Sequence, residues 1–149
     1  MVITVPYKNL THTLKCIKLQ VIDSLPYIHN YVDSSINTPK QLFKHLKKQV
    51  TFKADPHGVE YLQTVQTLMN NGGFGDCDCQ TILALTAFQY LNFNPCYVVL
   101  VGNNSINPSH IYTEVYDREA REIKAFDLTN PIYNMQRPYK YKQRILFKI

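Results

Sequence analysis

Apolar positions recur at helical spacing in the first part of the chain. Between residues 12 and 33 they fall every three or four positions, and Pro26 interrupts the pattern, which predicts one kinked helix or two short ones. Thr38-Pro39 predicts the start of a second helix, because threonine caps a helix well and proline fits the first helical position. A third helix is predicted over roughly 60–70, where two asparagines and two glycines would end it.

The run at 77–91, CDCQTILALTAFQYL, is apolar on almost every side. A helix at the surface would show one apolar face and one polar face, so this run predicts a buried helix. Phe93-Asn94-Pro95 predicts its end.

Beyond residue 95 the pattern becomes that of β-strands. A continuous apolar run predicts a central strand, and two runs with a period of two residues on either side of a short turn predict a hairpin. Helices followed by antiparallel strands indicate an α+β domain. The predicted strands are CYVVLVG (96–102), HIYTEVYD (110–117), REIKAFDL (121–128) and YKQRILFKI (141–149).

A chain of 149 residues suits a single compact domain. Within it we expect residues 1–37 to form an N-terminal helical extension and residues 38–149 to form the main body. No stretch approaches the roughly 20 apolar residues that cross a bilayer, and the N-terminus lacks the apolar run of a signal peptide. These features predict a cytoplasmic protein without a membrane partner.

The cysteines, at positions 16, 77, 79 and 96, are expected to be reduced, because nothing in the sequence indicates export. The net charge of +5 is mild, and the lysines and arginines clustered at 40–53 and 137–148 are typical of solvated faces. Nucleic-acid contact is the alternative interpretation, but no recognised binding motif supports it.

The segment Gly75-Asp76-Cys77-Asp78 places a cysteine at the start of the buried helix. The unpaired N–H groups and the positive end of a helix stabilise a thiolate, which is the nucleophilic form of cysteine. The aspartates on either side complement the helix dipole but raise the pKa of a nearby thiol. Cys79 lies about 200° around the helix from Cys77, so both thiols cannot face one substrate. Cys77 is the predicted nucleophile, and Cys79 is the alternative as nucleophile or redox partner.

A cysteine nucleophile needs a base, and His110 is the best placed histidine because it opens a strand after a loop. Asp127 ends the next strand, and antiparallel strands joined by a short turn bring both residues to the same end of the sheet. An aspartate at that place can orient the imidazole, as in known triads. His57, in a turn before the third helix, is the second choice for the base.

Two glutamines upstream of the cysteine, Gln63 and Gln66, are candidate donors to the oxyanion of a tetrahedral intermediate, and Asp76 is a candidate supporting residue. A zinc site is an alternative interpretation of the same region. It would take Cys77, Cys79, Cys96 and His110, but these residues lack the paired two-residue spacing of structural zinc sites. We therefore expect neither a metal nor a cofactor.

The settings of Cys77, His110 and Asp127, which are GDCD, HIYTEVYD and FDLTNP, resemble the motifs of the transglutaminase-like superfamily in content and order. Tyr112 stands where that superfamily commonly has tryptophan, and Leu128 stands where it commonly has proline. The chain is most similar to small transglutaminase-like proteins of bacteriophages and prophages, also in DPHGVEYLQT (55–64) and in its basic terminal strand. The resemblance covers roughly residues 38–149. It implies a papain-like fold in which the cysteine helix packs against an antiparallel sheet.

The same resemblance implies a cysteine-dependent acyl transfer or hydrolysis at an amide, by a peptidase, an amidase or a transglutaminase. Its catalytic residues would be Cys77, His110 and Asp127, and its partner would be a protein or peptide substrate. A phage-encoded protein would act in the host cytoplasm or on the virion, with virion proteins among its partners. The alternative is a non-catalytic phage structural or assembly protein that keeps the fold.

Overall fold

The computed structural model describes residues 2–6, 10–56, 59–106 and 108–149, with the backbone alone at 3–6 and 59–60. It confirms the mixed α+β class expected from the sequence. The α-helices are α1 (Leu10–Ser24), α2 (Pro39–Lys47), α3 (Val65–Asn70) and α4 (Cys77–Leu91). The strands are β1 (Val2–Pro6), β2 (Thr51–Phe52), β3 (Val59–Gln63), β4 (Phe74–Gly75), β5 (Cys96–Gly102), β6 (His110–Asp117), β7 (Glu122–Phe126) and β8 (Tyr141–Leu146).

The second half of the chain forms a four-stranded antiparallel sheet in the order β7-β6-β5-β8. β5 lies between β6 and β8 and is buried along nearly its whole length, which confirms the central strand predicted from its apolar run. β6 and β7 form the predicted hairpin, in which Thr113 is opposite Phe126 and Asp117 is opposite Glu122.

Helix α4 lies at the centre of the core. Its residues from Asp78 to Phe88 are all buried, because the helix packs against β6 on one side and α1 on the other. Phe88 meets Phe126 edge to face with ring centroids 4.8 Å apart, which joins the helix to the hairpin. The predicted bounds and burial of this helix are confirmed. A helix packed in this way holds its first residue, Cys77, in a fixed place against the sheet.

Two short sheets that the sequence pattern did not predict precede α4. β1 pairs antiparallel with β3, and β2 pairs in parallel with β4. The predicted helix over 60–70 is therefore wrong at 60–63, which belong to β3, and correct at Val65–Asn70. The partner of β3 is distant in sequence, so local periodicity carries no sign of it. Thr64 then accepts a hydrogen bond from the N–H of Thr67 and starts α3 at the end of the strand.

The N-terminal part of the chain packs into the same core as the rest, since α1 joins the hydrophobic cluster around α4. α1 ends at Ser24 and a 3-10 turn follows at Ile28–Asn30, so the pattern interrupted by Pro26 folds as two pieces. β1 adds a strand to this part, and its separation from the main body at 37/38 stays a prediction. Among the described residues, none of the helices combines the length and the apolar character needed to cross a membrane.

Candidate active site

Cys77 is the first residue of α4, and its side chain is half-buried. Asp76 caps this helix: its Oδ1 accepts from the N–H of Asp78 at 3.1 Å and from the N–H of Cys79 at 3.4 Å. The cap does not use the N–H of Cys77 itself, which is the first backbone donor of the helix. A backbone donor next to a nucleophilic sulfur is what an oxyanion hole requires.

Gly75 lets β4 approach the start of α4 closely. A Cβ at this position would lie 2.7 Å from the Cβ of Cys79 and 3.0 Å from Cδ1 of Leu68. No other residue fits there without a shift of the strand. The close packing of the strand against the helix therefore requires glycine at this position.

The β6–β7 hairpin brings His110 and Asp127 together. His110 opens β6, Asp127 directly follows β7, and His110 Nε2 lies 2.7 Å from Asp127 Oδ2. Thr129 donates to Oδ1 of the same carboxylate through its N–H at 3.0 Å and through its hydroxyl at 2.7 Å. Asn130 Nδ2 donates to Oδ2 at 3.3 Å. Since both carboxylate oxygens are fixed by neighbours, Asp127 can hold the imidazole in one orientation.

Asp127 is ionised at neutral pH although it is buried. Burial alone would raise its pKa, but the hydrogen bond and charge of His110, together with the hydrogen bonds of Thr129, outweigh burial and lower the pKa. A carboxylate in this state accepts the Nε2 proton of His110 and leaves Nδ1 as the basic nitrogen of the ring.

Cys77 lies beside this pair. The backbone N–H of Ile111, the residue after His110, lowers the pKa of the thiol, and the charge of Asp127 raises it, so both groups lie near the sulfur. The structure therefore brings Cys77, His110 and Asp127 to one place, where α4 begins and the hairpin ends.

The surroundings of Cys77 disfavour its thiolate. Burial is the largest cause, followed by the negative charge of Asp78 and, at the high pH where Asp76 also ionises, by that of Asp76; together they raise the pKa of the thiol well above its ordinary value. The N–H of Ile111 lowers the pKa but does not reverse the result. The resting form of Cys77 at neutral pH is therefore the neutral thiol.

The carboxylate oxygens of Asp55, Asp76 and Asp78 lie within 4.8 Å of one another beside the start of α4. Burial, the charge of Asp78 and a hydrogen bond with Asp55 raise the pKa of Asp76 to about 9. Asp76 is thus protonated at neutral pH, and its hydrogen bond with Asp55 favours this form. Oxygens at this spacing suit a hard cation, but Asp76 caps the helix and Asp55 Oδ2 accepts from the N–H of Tyr61 at 2.7 Å.

Cys79, the alternative nucleophile, is enclosed in the core with no exposed surface. Its Sγ donates to the carbonyl of Tyr61 at 3.0 Å, and burial raises the pKa of the thiol to about 12. The residues weighed for a zinc site do not converge: in the described part of the chain, the three aspartates are the one group of potential metal ligands close enough together.

The glutamines predicted as oxyanion donors have other partners. Gln63 Nε2 donates to the carbonyl of Phe74 at 3.1 Å and lies 3.5 Å from the Sγ of Cys79. Gln66 Nε2 donates to the carbonyl of Asp23 at 3.4 Å, on the side of α1. His57, the second choice for the base, lies outside the described residues.

Sequence reasoning did not single out two tyrosines that flank His110. The ring of Tyr112 stacks near-parallel on the imidazole at 5.7 Å between centroids, and the ring of Tyr139 does so at 6.4 Å. In the sequence, Tyr112 stands out only because it replaces the tryptophan common in the histidine motif. Tyr139 lies between β7 and β8 in a segment without periodicity, so no sequence pattern predicts that it lies near His110.

The basic terminal strand β8 is partly neutralised by a buried carboxylate. Lys142 Nζ lies 2.7 Å and Arg144 Nε lies 2.6 Å from the carboxylate oxygens of Glu114, on the face of β6 that also carries His110. Arg144 also covers the ring of Tyr97 at 5.2 Å. These two cations hold β8 to the sheet, whereas the sequence interpretation treated the whole cluster as a solvated face.

No model of a known protein family matches the chain, and no curated protein sequence matches it. Among solved structures, a candidate protease from Parabacteroides distasonis superposes on 79% of this chain with a TM-score of 0.52 and 9% sequence identity. The match spans 27% of that protein's length. The chain therefore shares a protease-like fold with a part of that structure.

Proposed function

We propose that the protein catalyses cysteine-dependent hydrolysis or acyl transfer at an amide bond of a protein or peptide. The observation that supports this most is the 2.7 Å contact between His110 Nε2 and Asp127, beside the helix that starts with Cys77. Cys77 is the nucleophile, His110 is the general base and acid, and Asp127 orients His110. The likeness to a protease-like fold supports the same class of reaction.

The proposed reaction begins from a neutral thiol. His110 Nδ1 takes the thiol proton as Sγ of Cys77 attacks the carbonyl carbon, and the N–H of Cys77 donates to the oxyanion. The intermediate collapses when Nδ1 gives this proton to the leaving amine, which forms a thioester on Cys77. A water molecule or a second amine then attacks the thioester and gives its proton to Nδ1. Nδ1 passes this proton to the departing sulfur, which releases the acyl product and restores the neutral thiol.

Asp127 contributes in two ways in this scheme. Its hydrogen bond keeps the proton on Nε2, so that Nδ1 is the nitrogen free to act as base. Its negative charge also stabilises the imidazolium that exists after the thiol proton has moved. Both effects depend on the low pKa of this carboxyl, which keeps it ionised.

The motif resemblance extends the proposal to a transglutaminase-like protein of papain-like architecture, encoded by a phage and acting in the host cytoplasm or on the virion. Its substrate is then a protein or a peptide, with virion proteins among the candidates. Hydrolysis is the default second step, because water is always present and transamidation requires a bound acceptor amine.

A competing proposal is a non-catalytic phage structural or assembly protein that keeps the fold. The observation that favours it is the raised pKa of Cys77, which makes the resting thiol a weak nucleophile. The two proposals differ in whether His110 activates the thiol.

Intact-mass analysis with an electrophilic glutamine or peptide probe tests the proposal. We expect a single adduct on the wild type and on Cys79→Ala, no adduct on Cys77→Ala, and a rate at least tenfold lower on His110→Ala. An adduct that survives Cys77→Ala but disappears in Cys79→Ala would show that the other thiol is the nucleophile. Equal rates for wild type and His110→Ala would support the non-catalytic protein.

A further inference from the structure

The segment at 131–140 links β7 to β8 without regular structure and contacts the outer edge of β7, the edge strand of the sheet. It is tied to β7 by two hydrogen bonds between Asn134 and Ala125: the N–H of Asn134 donates to the carbonyl of Ala125 at 3.0 Å, and the N–H of Ala125 donates to Asn134 Oδ1 at 3.0 Å. Asn130 Nδ2, which also contacts Asp127, donates to the carbonyl of Met135 at 3.0 Å. The segment is thus fixed to the hairpin that carries the site.

Near the end of this segment, Tyr139 packs against a small hydrophobic cluster on the face of the sheet opposite α4. The cluster consists of Val99, Val101, Tyr112 and Ala125. The plane of the Tyr139 ring lies at 24° to the imidazole plane of His110, and the plane of the Tyr112 ring lies at 23° to it. The near-parallel rings restrict the plane of the imidazole.

The phenol of Tyr139 also lies within electrostatic reach of the other site residues. Burial is the main cause that raises its pKa, followed by the charge of Asp127, while Arg137 lowers it and Cys77 adds a smaller increase. Tyr139 therefore belongs to the immediate surroundings of Cys77, His110 and Asp127.

We propose that Tyr139 is a positioning residue for His110: its stacked ring, with that of Tyr112, keeps Nε2 on Asp127 and Nδ1 toward Cys77. The effect of this role on catalysis rests on the proposed function. The imidazole needs such a restraint because rotation about the bond to its ring is soft. Its side chain is also 17% exposed, so water competes for the hydrogen bond with Asp127. Stacking of one aromatic ring restrains that rotation by an amount worth roughly a 3- to 10-fold change in population.

The test compares Tyr139→Phe, Tyr139→Leu and the matched control Tyr97→Leu. Tyr97 packs against the same cluster but no ring contact joins it to His110 within the described residues, so its loss costs packing without touching the imidazole. Imidazole ¹⁵N chemical shifts report which ring nitrogen of His110 carries the proton, and hydrolysis of a chromogenic peptide amide gives kcat and KM across pH.

For wild type, Tyr139→Phe and Tyr97→Leu we expect a single tautomer with the proton on Nε2 and similar kcat. For Tyr139→Leu we expect a mixture of tautomers, a kcat lower by roughly 3- to 10-fold and an unchanged KM. A single Nε2–H tautomer in Tyr139→Leu would overturn the inference. If Tyr139→Leu does not fold, nuclear Overhauser contacts between the rings of Tyr139 and His110 in the wild type decide, and their absence overturns it.

The two readouts separate this inference from the proposed function. A tautomer change in Tyr139→Leu, together with no probe reaction in any variant, supports the positioning role and contradicts the proposed enzymatic activity. A wild-type protein that reacts with the probe while the tautomer is unaffected by Tyr139→Leu supports the enzyme and contradicts the role of Tyr139.

Discussion

The two sides of the candidate site hold aspartates of similar burial in opposite states. At the start of α4, Asp76 is 8% exposed and its pKa is raised to about 9. At the end of the hairpin, Asp127 is 6% exposed and its pKa is lowered. Asp76 faces other carboxylates, whereas Asp127 faces an imidazole and the donors of Thr129. The neighbours, and not the degree of burial, decide which carboxyl is ionised.

The comparison also separates two tasks within the site. The helix side supplies the nucleophile and a backbone donor but opposes the thiolate, and the hairpin side supplies a base that can remove the thiol proton. In the proposed mechanism the thiolate therefore forms during attack and not before it, and activity depends on the hairpin side.

The largest effect is expected from loss of the ionised carboxylate. Asp127→Ala should lower kcat by about 10³- to 10⁴-fold, because the imidazole loses both its orientation and the charge that stabilises its protonated form. Asp127→Asn should lose about as much, because the amide oxygen takes the place of Oδ1 beside Thr129 and the amide NH2 then faces Nε2, which selects the wrong tautomer. Hydrolysis of the chromogenic peptide amide measures both.

The matched control is Asp117→Ala at the far end of the same hairpin. Asp117 is also 6% exposed and binds the hydroxyl of Tyr133 at 2.8 Å, so this variant should lose stability but keep kcat. An equal loss of kcat in both variants would mean that the effect comes from damage to the hairpin.

A smaller effect is expected from the charges at the start of α4. Asp78→Asn should lower the pKa of Cys77 and raise its alkylation rate by iodoacetamide at pH 7 by roughly 3- to 10-fold, because the charge that raises this pKa most is gone. Asp76→Asn should change that rate far less at pH 7, because Asp76 is already protonated there. If Asp76→Asn accelerates alkylation as much as Asp78→Asn, Asp76 is ionised and the contrast between the two sides is wrong.

Asp76→Asn should instead change the pH dependence of stability. The folded protein holds the Asp76 proton more tightly than the unfolded chain, so its contribution is fully present below pH 3.8 and is lost progressively as pH rises to about 9. Asparagine caps a helix as well as aspartate does and does not ionise. The free energy of unfolding of the variant should match that of wild type near pH 4 and exceed it by about 1 kcal/mol or more at pH 9. Urea denaturation at a series of pH values measures this, and parallel curves for the two proteins would contradict it.

The smallest effect is expected from Thr129→Ala, which removes one hydroxyl donor from Asp127. The pKa of Asp127 should rise by up to about one unit, because its ionised form loses a hydrogen bond. The stability that Asp127 contributes above its unfolded pKa would then be lost at a higher pH as the solution is acidified. A ¹³C titration of the carboxyl group measures the shift, and Thr129→Ser, which keeps the hydroxyl, should leave it in place.

The sequence predicted the helices and strands that are determined by residues close together in the chain. The bounds of α4 follow from a run that is apolar on all sides, and the hairpin of β6 and β7 follows from period-two runs around a short turn. The same hairpin argument placed His110 and Asp127 at one end of a sheet, where the structure has them in contact.

The features that the sequence did not predict depend on distant partners. β3 is a strand because β1 pairs with it, and nothing in its own residues distinguishes it from a helix. The protonated state of Asp76 depends first on its burial, which the tertiary fold produces, and also on the charge of Asp78 and on Asp55, which lies on another segment of the chain. The place of Tyr139 follows from hydrogen bonds that tie an irregular segment to β7.

The aspartates beside Cys77 have a further consequence for the chemical durability of the site. Oxidants attack the thiolate, and a cysteine converts to sulfenic acid in proportion to its thiolate character and exposure. Because burial, and after it the charge of Asp78, raise the pKa of Cys77 and keep it protonated at rest, the sulfur should resist peroxide until substrate is bound and His110 takes the proton. The acidic start of α4 thus lowers the reactivity of the resting Cys77 thiol and protects it from oxidation between turnovers.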